Sequence, residues 1–464
     1  MKRQLIGALF LLIACLPIRA MAGQCRIADY AHEIECGTFE VKNPITGKSE
    51  NIAWHRIEAR ARYPYPDPVI WIPGGLGIDA TDRAPGVINM LSRLQNSRDL
   101  IWIDIHGSGK SSPLSCAKPA RSKIKERIDI FSNPQVLQSC HDEIAVRGGA
   151  QVYNFQHLAH HYEQLRQHLK LGKVNVIADG LGGNIALAWH KLAPGVMRGL
   201  VLDSPPSLEE IPAISRAKSY ASALENIVTA CLQDKDCQKY HPDMESYLGL
   251  IKAKLPREIV LVNPQTGIKE TLNMDEQMFS QLLMGILRTP ARATALPNVL
   301  HAASTGDWQP MIGLGAMSWS KLNTRFSHGL WLASLCANGR EQPDIKLQGD
   351  ADWFYQMQKN RINLLCRGKW GGEAQYTIPE KTPVLIFVPL ADPFAGHKFA
   401  STENVKVIQV PGASSGVISI GCARDIVYRF ITDKGLPQDD KGLACLTDFP
   451  LPVVGPINKF GRTP

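Results

Sequence analysis

The sequence predicts an α/β protein: a mostly parallel sheet flanked by helices and interrupted by one mainly helical insertion. Three observations carry this. Short apolar runs alternate with helix-period segments through the first 205 residues, helical patterns crowd 206–378, and core-type apolar runs resume from 379 onward.

Residues 1–22 read as an export signal. Lys2 and Arg3 precede an apolar run from Leu5 to Ala14, Pro17 breaks it, and Ala20-Met21-Ala22 offers small residues at a cleavage site. The run is too short to anchor across a bilayer. The stretch ending Ala14-Cys15 also fits lipoprotein processing, so a lipid-anchored form through Cys15 stays open.

Residues 23–205 hold the first part of the core. A buried strand at 68–72 runs into Pro73-Gly74-Gly75-Leu76-Gly77, and a second at 100–104 runs into His106-Gly107-Ser108-Gly109. Leu158, Tyr162, Leu165 and Leu169 recur at spacings of four, three and four, one face of a helix begun by Asn154. A strand at 174–177 follows, then the turn 178–183, a helix carrying Ile185, Ala186, Ala188 and Trp189 as far as Pro194, and a strand at 199–202 ending at Asp203. The insertion, 206–378, reads as helices at 219–229, 274–287 and 291–303 with one hairpin around 263–267. Strands at 383–388 and 405–410 complete the core over 379–464. Parallel strands joined by helices put functional loops at the strand carboxyl ends.

Composition sets limits. The chain has 464 residues, 44% of them hydrophobic, enough for a core domain and a large insertion. Removing Lys2, Arg3 and Arg19 from the 51 basic residues leaves 48 against 43 acidic ones, a net +5 with no basic run or aromatic-basic stripe. That argues against a nucleic-acid partner. Of eleven cysteines, ten beside Cys15 fall into neighbours along the chain: Cys25 and Cys36, Cys116 and Cys140, Cys231 and Cys237, Cys336 and Cys366, Cys422 and Cys445. Five local disulfides in an oxidising compartment are the simplest expectation. No cysteine spacing suits a metal, and neither metal nor cofactor is expected.

Seven segments then carry a family resemblance across nearly the whole mature chain. WIPGGLG from Trp71, IDIHGSGKSSPLSC from Ile103, VIADGLGGNIAL from Val176, LVLDSP from Leu200, CRGKW from Cys366, TPVLIFVPLADP from Thr382 and VPGASSGV from Val410 occur in order. Together they resemble secreted α/β-hydrolases of the proline iminopeptidase and tripeptidyl aminopeptidase kind. The resemblance implies an α/β-hydrolase fold with a helical lid and an oxyanion loop at Gly75, Leu76 and Gly77, completed by the backbone of Leu181. It also implies a catalytic acid at Asp392.

The chain departs from that family where chemistry is done. The nucleophile elbow, glycine-x-serine-x-glycine in the family, is Ala178-Asp179-Gly180-Leu181-Gly182 here, and the family histidine is replaced by Ser415. Acyl transfer needs a nucleophile whose proton is taken by a base within hydrogen-bond reach; the acid only orients that base. Glycine at the elbow also avoids the penalty that positive φ imposes on other residues. Replacement groups are few. Asp179 sits one residue early and reads as a helix-start or turn residue; Ser414 and Ser415 read as turn residues. His397 reads as a surface helix histidine, and His106, His160 and His161 as structural or surface residues. The expectation is an exported, non-catalytic homologue that binds a peptide-like or small apolar ligand or a protein partner. A hydrolase or transferase using relocated groups, and a scaffold or maturation partner of an exported complex, are the alternatives.

Overall fold

In the computed structural model, the described residues are 23–43, 45–116, 123–208, 211–264, 266–319, 326–372, 375–433, 435–437, 440–451 and 454. The expected signal and Cys15 lie outside them. Eleven strands are present: β1 (Gly23–Cys25), β2 (Ile34–Lys42), β3 (Ser49–Ile57), β4 (Val69–Ile72), β5 (Leu100–Ile103), β6 (Val174–Asp179), β7 (Met197–Asp203), β8 (Arg257–Val262), β9 (Lys269–Met274), β10 (Val384–Pro389) and β11 (Val405–Val410). Nine form one sheet in the order β1-β2-β3-β5-β4-β6-β7-β10-β11, and β8 and β9 form a separate hairpin.

From β5 to β11 all pairings are parallel, whereas β1, β2 and β3 pair antiparallel and add an edge that the apolar pattern did not reveal. The difference is physical. β4 and β10 are buried along their whole length and read as unbroken apolar runs. β2, IECGTFEVK, has a half-exposed or exposed residue at most of its positions, so its run is interrupted by polar side chains.

Helix Phe155–His168 starts where expected: the Asn154 side chain accepts from the His157 N–H at 2.7 Å. It packs with helix Gly182–Leu192 on one face of the sheet. Helices Ala80–Met90 and Ala423–Asp433 lie on the other. The first of these was missed, since Pro85 and Gly86 mask its period. Between β7 and β10, helices including Pro212–Gln233, Glu276–Leu287 and Asp350–Cys366 enclose a second core of their own around Phe279, Leu282, Leu283 and Phe354. The helix expected at 274–287 starts two residues later, because Met274 closes β9 opposite Arg257. The one expected at 291–303 is two, Pro290–Ala293 and Leu296–Thr305, because Pro297 needs a fresh helix start.

The ten cysteines stand at disulfide distance in the five expected pairs, with Cα–Cα separations from 4.8 to 6.1 Å. No described helix is long and apolar enough to cross a membrane.

Candidate functional site

Four connections at the carboxyl ends of the parallel strands meet at one end of the sheet. β6 ends at Asp179, and helix Gly182–Leu192 begins three residues later. Between them Gly180 takes φ +45°, a left-handed conformation that costs a side-chain-bearing residue about 1–2 kcal/mol. Its N–H donates to the Asp203 carbonyl at 2.8 Å, which ties the turn to the end of β7. A Cβ built on Gly180 would meet nothing nearer than the Gly74 Cα at 3.6 Å, so a side chain there has room.

The glycine loop after β4 lies directly on this turn. A Cβ on Gly74 would fall 2.1 Å from the Asp179 carbonyl oxygen, an approach only glycine permits. Beyond it, the Gly77 carbonyl accepts from the Ser327 N–H at 2.7 Å, and Ile78 bridges to Phe326, so the inserted segment covers the loop. Among the described residues, nothing accepts from the backbone N–H groups of Gly75, Leu76, Gly77 or Leu181.

The loops after β10 and β11 complete the group. Asp392 is buried, its carboxylate accepting from the Phe394 N–H at 2.9 Å. Burial pushes its pKa up, opposed first by that N–H and then by the Arg288 guanidinium, the Ser415 hydroxyl and His397. Asp392 and Ser415 are thus neighbours. The Ala391 N–H donates to the Ala413 carbonyl at 3.2 Å, joining the two loops. Asp203 locks the second of them: its two oxygens accept from the Val417 and Ile418 N–H groups at 3.0 Å each. Two cations face the same region, with Arg288 4.1 Å and Arg216 5.3 Å from the centre of the Phe394 ring.

Several expected roles need correction. Asp179 neither caps nor starts a helix; it ends β6 and accepts from the Trp71 indole at 3.1 Å, with Arg83 at 3.6 Å. Burial pushes its pKa up to about 6, helped by Asp203 and opposed by Arg83 and Trp71. His397 is not on a helix; it sits in an irregular stretch, with a buried Nε2 that lacks a partner among the described residues. His106 and His161 are buried, and only His160 is partly exposed. No metal was expected, yet one group of side chains has ligand-like spacing. Glu50, His157 and His161 place ligand atoms within 4.8 Å of one another. Two of them were missed because Glu50 lies on an unread strand and His157 is one of three histidines in a five-residue stretch, with no partner nearby in sequence.

The family described as alpha/beta hydrolase fold matches residues 67–319, a little over half of the chain. No curated protein matches the sequence. Similar solved structures include a probable hydrolytic enzyme from Pseudomonas aeruginosa PAO1, 14% identical over 87% of this chain and 94% of that chain, with a TM-score of 0.37. Another is proline iminopeptidase from Mycobacterium smegmatis, 12% identical over 85% and 98%, TM-score 0.39. A third is homoserine O-acetyltransferase from Staphylococcus aureus, 11% identical over 88% and 98%, TM-score 0.41. No activity is read from likeness at this level.

Proposed function

We propose, for a chain that belongs to the alpha/beta hydrolase fold family, that it is an exported, non-catalytic member that binds a ligand or partner where its relatives carry out hydrolysis. The observation that carries this reading is Gly180 at φ +45° between β6 and the following helix. In this reading it stands at the nucleophile position, and Ser415, beside Asp392, stands at the histidine position. An acid without base or nucleophile performs no acyl transfer; removing the nucleophile or base from a related triad costs about a million-fold in turnover.

What remains is suited to binding. The N–H groups of Gly75, Leu76, Gly77 and Leu181, without acceptors among the described residues, offer donors to a carbonyl or carboxylate, independent of any side chain at positions 180 and 415. Arg216 and Arg288, against the Phe394 ring beside Asp392, add positive charge. Of the two ligand kinds expected, these groups favour the peptide-like one, with its carbonyls and terminal carboxylate, over a small apolar molecule. The insertion at 206–378 acts as a lid, held to the glycine loop through Phe326 and Ser327. Export through residues 1–22 is consistent with ten cysteines at disulfide distance.

The test is direct. The purified protein is expected to leave aminoacyl and ester chromogenic substrates intact and to resist a fluorophosphonate serine probe. Gly180→Ser combined with Ser415→His is expected to restore labelling, because the elbow has space for the hydroxyl. Labelling or turnover by the unmodified chain overturns the proposal. His397 marks the rival reading, a relocated base, because its buried nitrogen lacks a partner among the described residues and its charge acts on Asp392. Turnover that disappears in His397→Ala would establish it.

A further inference from the structure

We propose that Glu50, His157 and His161, with His106 as a fourth donor, form a buried structural site for a divalent first-row transition cation of the zinc type. His157 and His161 stand four apart on helix Phe155–His168 and therefore share one face. Both are buried, at 2% and 0% exposed, as is Glu50 on β3 at 7%. One oxygen of Glu50, Oε2, is 3.1 Å from the Nε2 of each histidine. His106, just past β5, turns its Nδ1 toward the same oxygen at 3.8 Å, and its ring is held by stacking on Tyr153 with 5.4 Å between centroids. Asn43 donates to the other Glu50 oxygen and lies 3.3 Å from His157 Nε2.

The donor set and spacing select the ion. Zinc bonds nitrogen and carboxylate oxygen at roughly 2.0–2.2 Å, which separates tetrahedral ligands by about 3.3–3.6 Å. The gaps of 3.1 and 3.8 Å at Glu50 bracket that range. Three imidazoles and one carboxylate suit zinc, cobalt, nickel or copper, and disfavour calcium or magnesium, which take oxygen ligands. Hydrogen bonding alone leaves the group incomplete. His106 Nδ1 is buried without a hydrogen-bond partner among the described residues. Among the described residues, Glu50 has only imidazoles within ion-pair distance for its buried charge. A divalent ion supplies that charge and engages the stray nitrogen. The residues are too enclosed to meet a substrate, so the ion would cross-link β3, the loop after β5 and the helix that leads into β6. Its outer shell is thin. The Nδ1 atoms of His157 and His161 lack acceptors among the described residues, which is expected to cost about 10–100-fold in affinity against a fully supported site.

The test uses the whole exported chain, stripped with a chelator and exchanged into metal-free buffer. Added Zn2+ is expected to bind at one equivalent per chain and raise Tm. Added Co2+ is expected to give the visible absorption of a low-symmetry, nitrogen-rich site. His161→Gln and His157→Gln are expected to weaken binding by tenfold or more. His32→Gln, on the exposed N-terminal segment, is expected to leave it unchanged. If a cluster variant fails to fold, the Co2+ spectrum of the unmodified chain decides alone. A folded chain that takes up no Zn2+, gives no Co2+ spectrum and shows no Tm shift overturns the proposal. Stoichiometric binding that survives in both folded variants does so too.

Discussion

The Gly180 turn and the Glu50 cluster belong to one helix-strand unit, the turn following its strand and two histidines of the cluster standing in the opening turns of its helix, and they are opposites in chemistry. At the turn, the Leu181 N–H has no acceptor among the described residues, and Gly180 has open space around it. At the cluster, three imidazoles, a carboxylate and a carboxamide crowd a place that no solvent reaches. The contrast teaches that a polar group's role depends on what it costs to keep. A half-buried turn position can do without a side chain at little expense, whereas a buried charge persists only where partners hold it.

The largest expected effect breaks the cluster. Glu50→Ala removes the acceptor that both histidines share and is expected to cost about 3–5 kcal/mol, read by chemical denaturation. At the turn the expected cost is smaller: Gly180→Ser destabilises by about 1–2 kcal/mol, since φ +45° now carries a Cβ, yet the chain still folds. If Gly180→Ser costs more than Glu50→Ala, the contrast between the two regions fails. Between them, Asn154→Ala uncaps the helix that joins both and is expected to cost about 1 kcal/mol.

The last effect is a pH slope. Burial lets the folded chain keep the Asp179 proton up to about pH 6, while an unfolded aspartate releases it near 4. The folded state therefore binds more protons across that window, so this group's contribution to stability is greatest below about pH 4 and falls as pH rises toward 6. Asp179→Asn is expected to flatten that part of the profile, measured as Tm against pH. A slope unchanged in the variant would assign it elsewhere.

Much of this was legible in the sequence because parallel strands are buried on both faces. The runs read at 68–72, 174–177 and 383–388 needed no partner to be recognised, and Asn154 announced its helix through a local capping bond. The antiparallel strands β2 and β3 were not legible, since pairing across the sheet, and not their own composition, makes them strands. The same reason hid the histidine cluster. Glu50 meets His157 and His161 only after β3 and the helix pack, and a separation of more than a hundred residues leaves no pattern to read. Asp179 was misjudged because its partners, Trp71 and Arg83, come from β4 and helix Ala80–Met90.

The β8–β9 hairpin stands outside the main sheet as a two-stranded ribbon. It exposes Val260, Val262 and Ile268, while the Gln309 carboxamide both donates to and accepts from the Val262 backbone, plugging one rung of an outer edge. A ribbon like this is a template for intermolecular strand addition. In crowded conditions self-association would begin at this hairpin, and Val260→Lys would be the simplest solubility improvement for anyone handling the protein at high concentration.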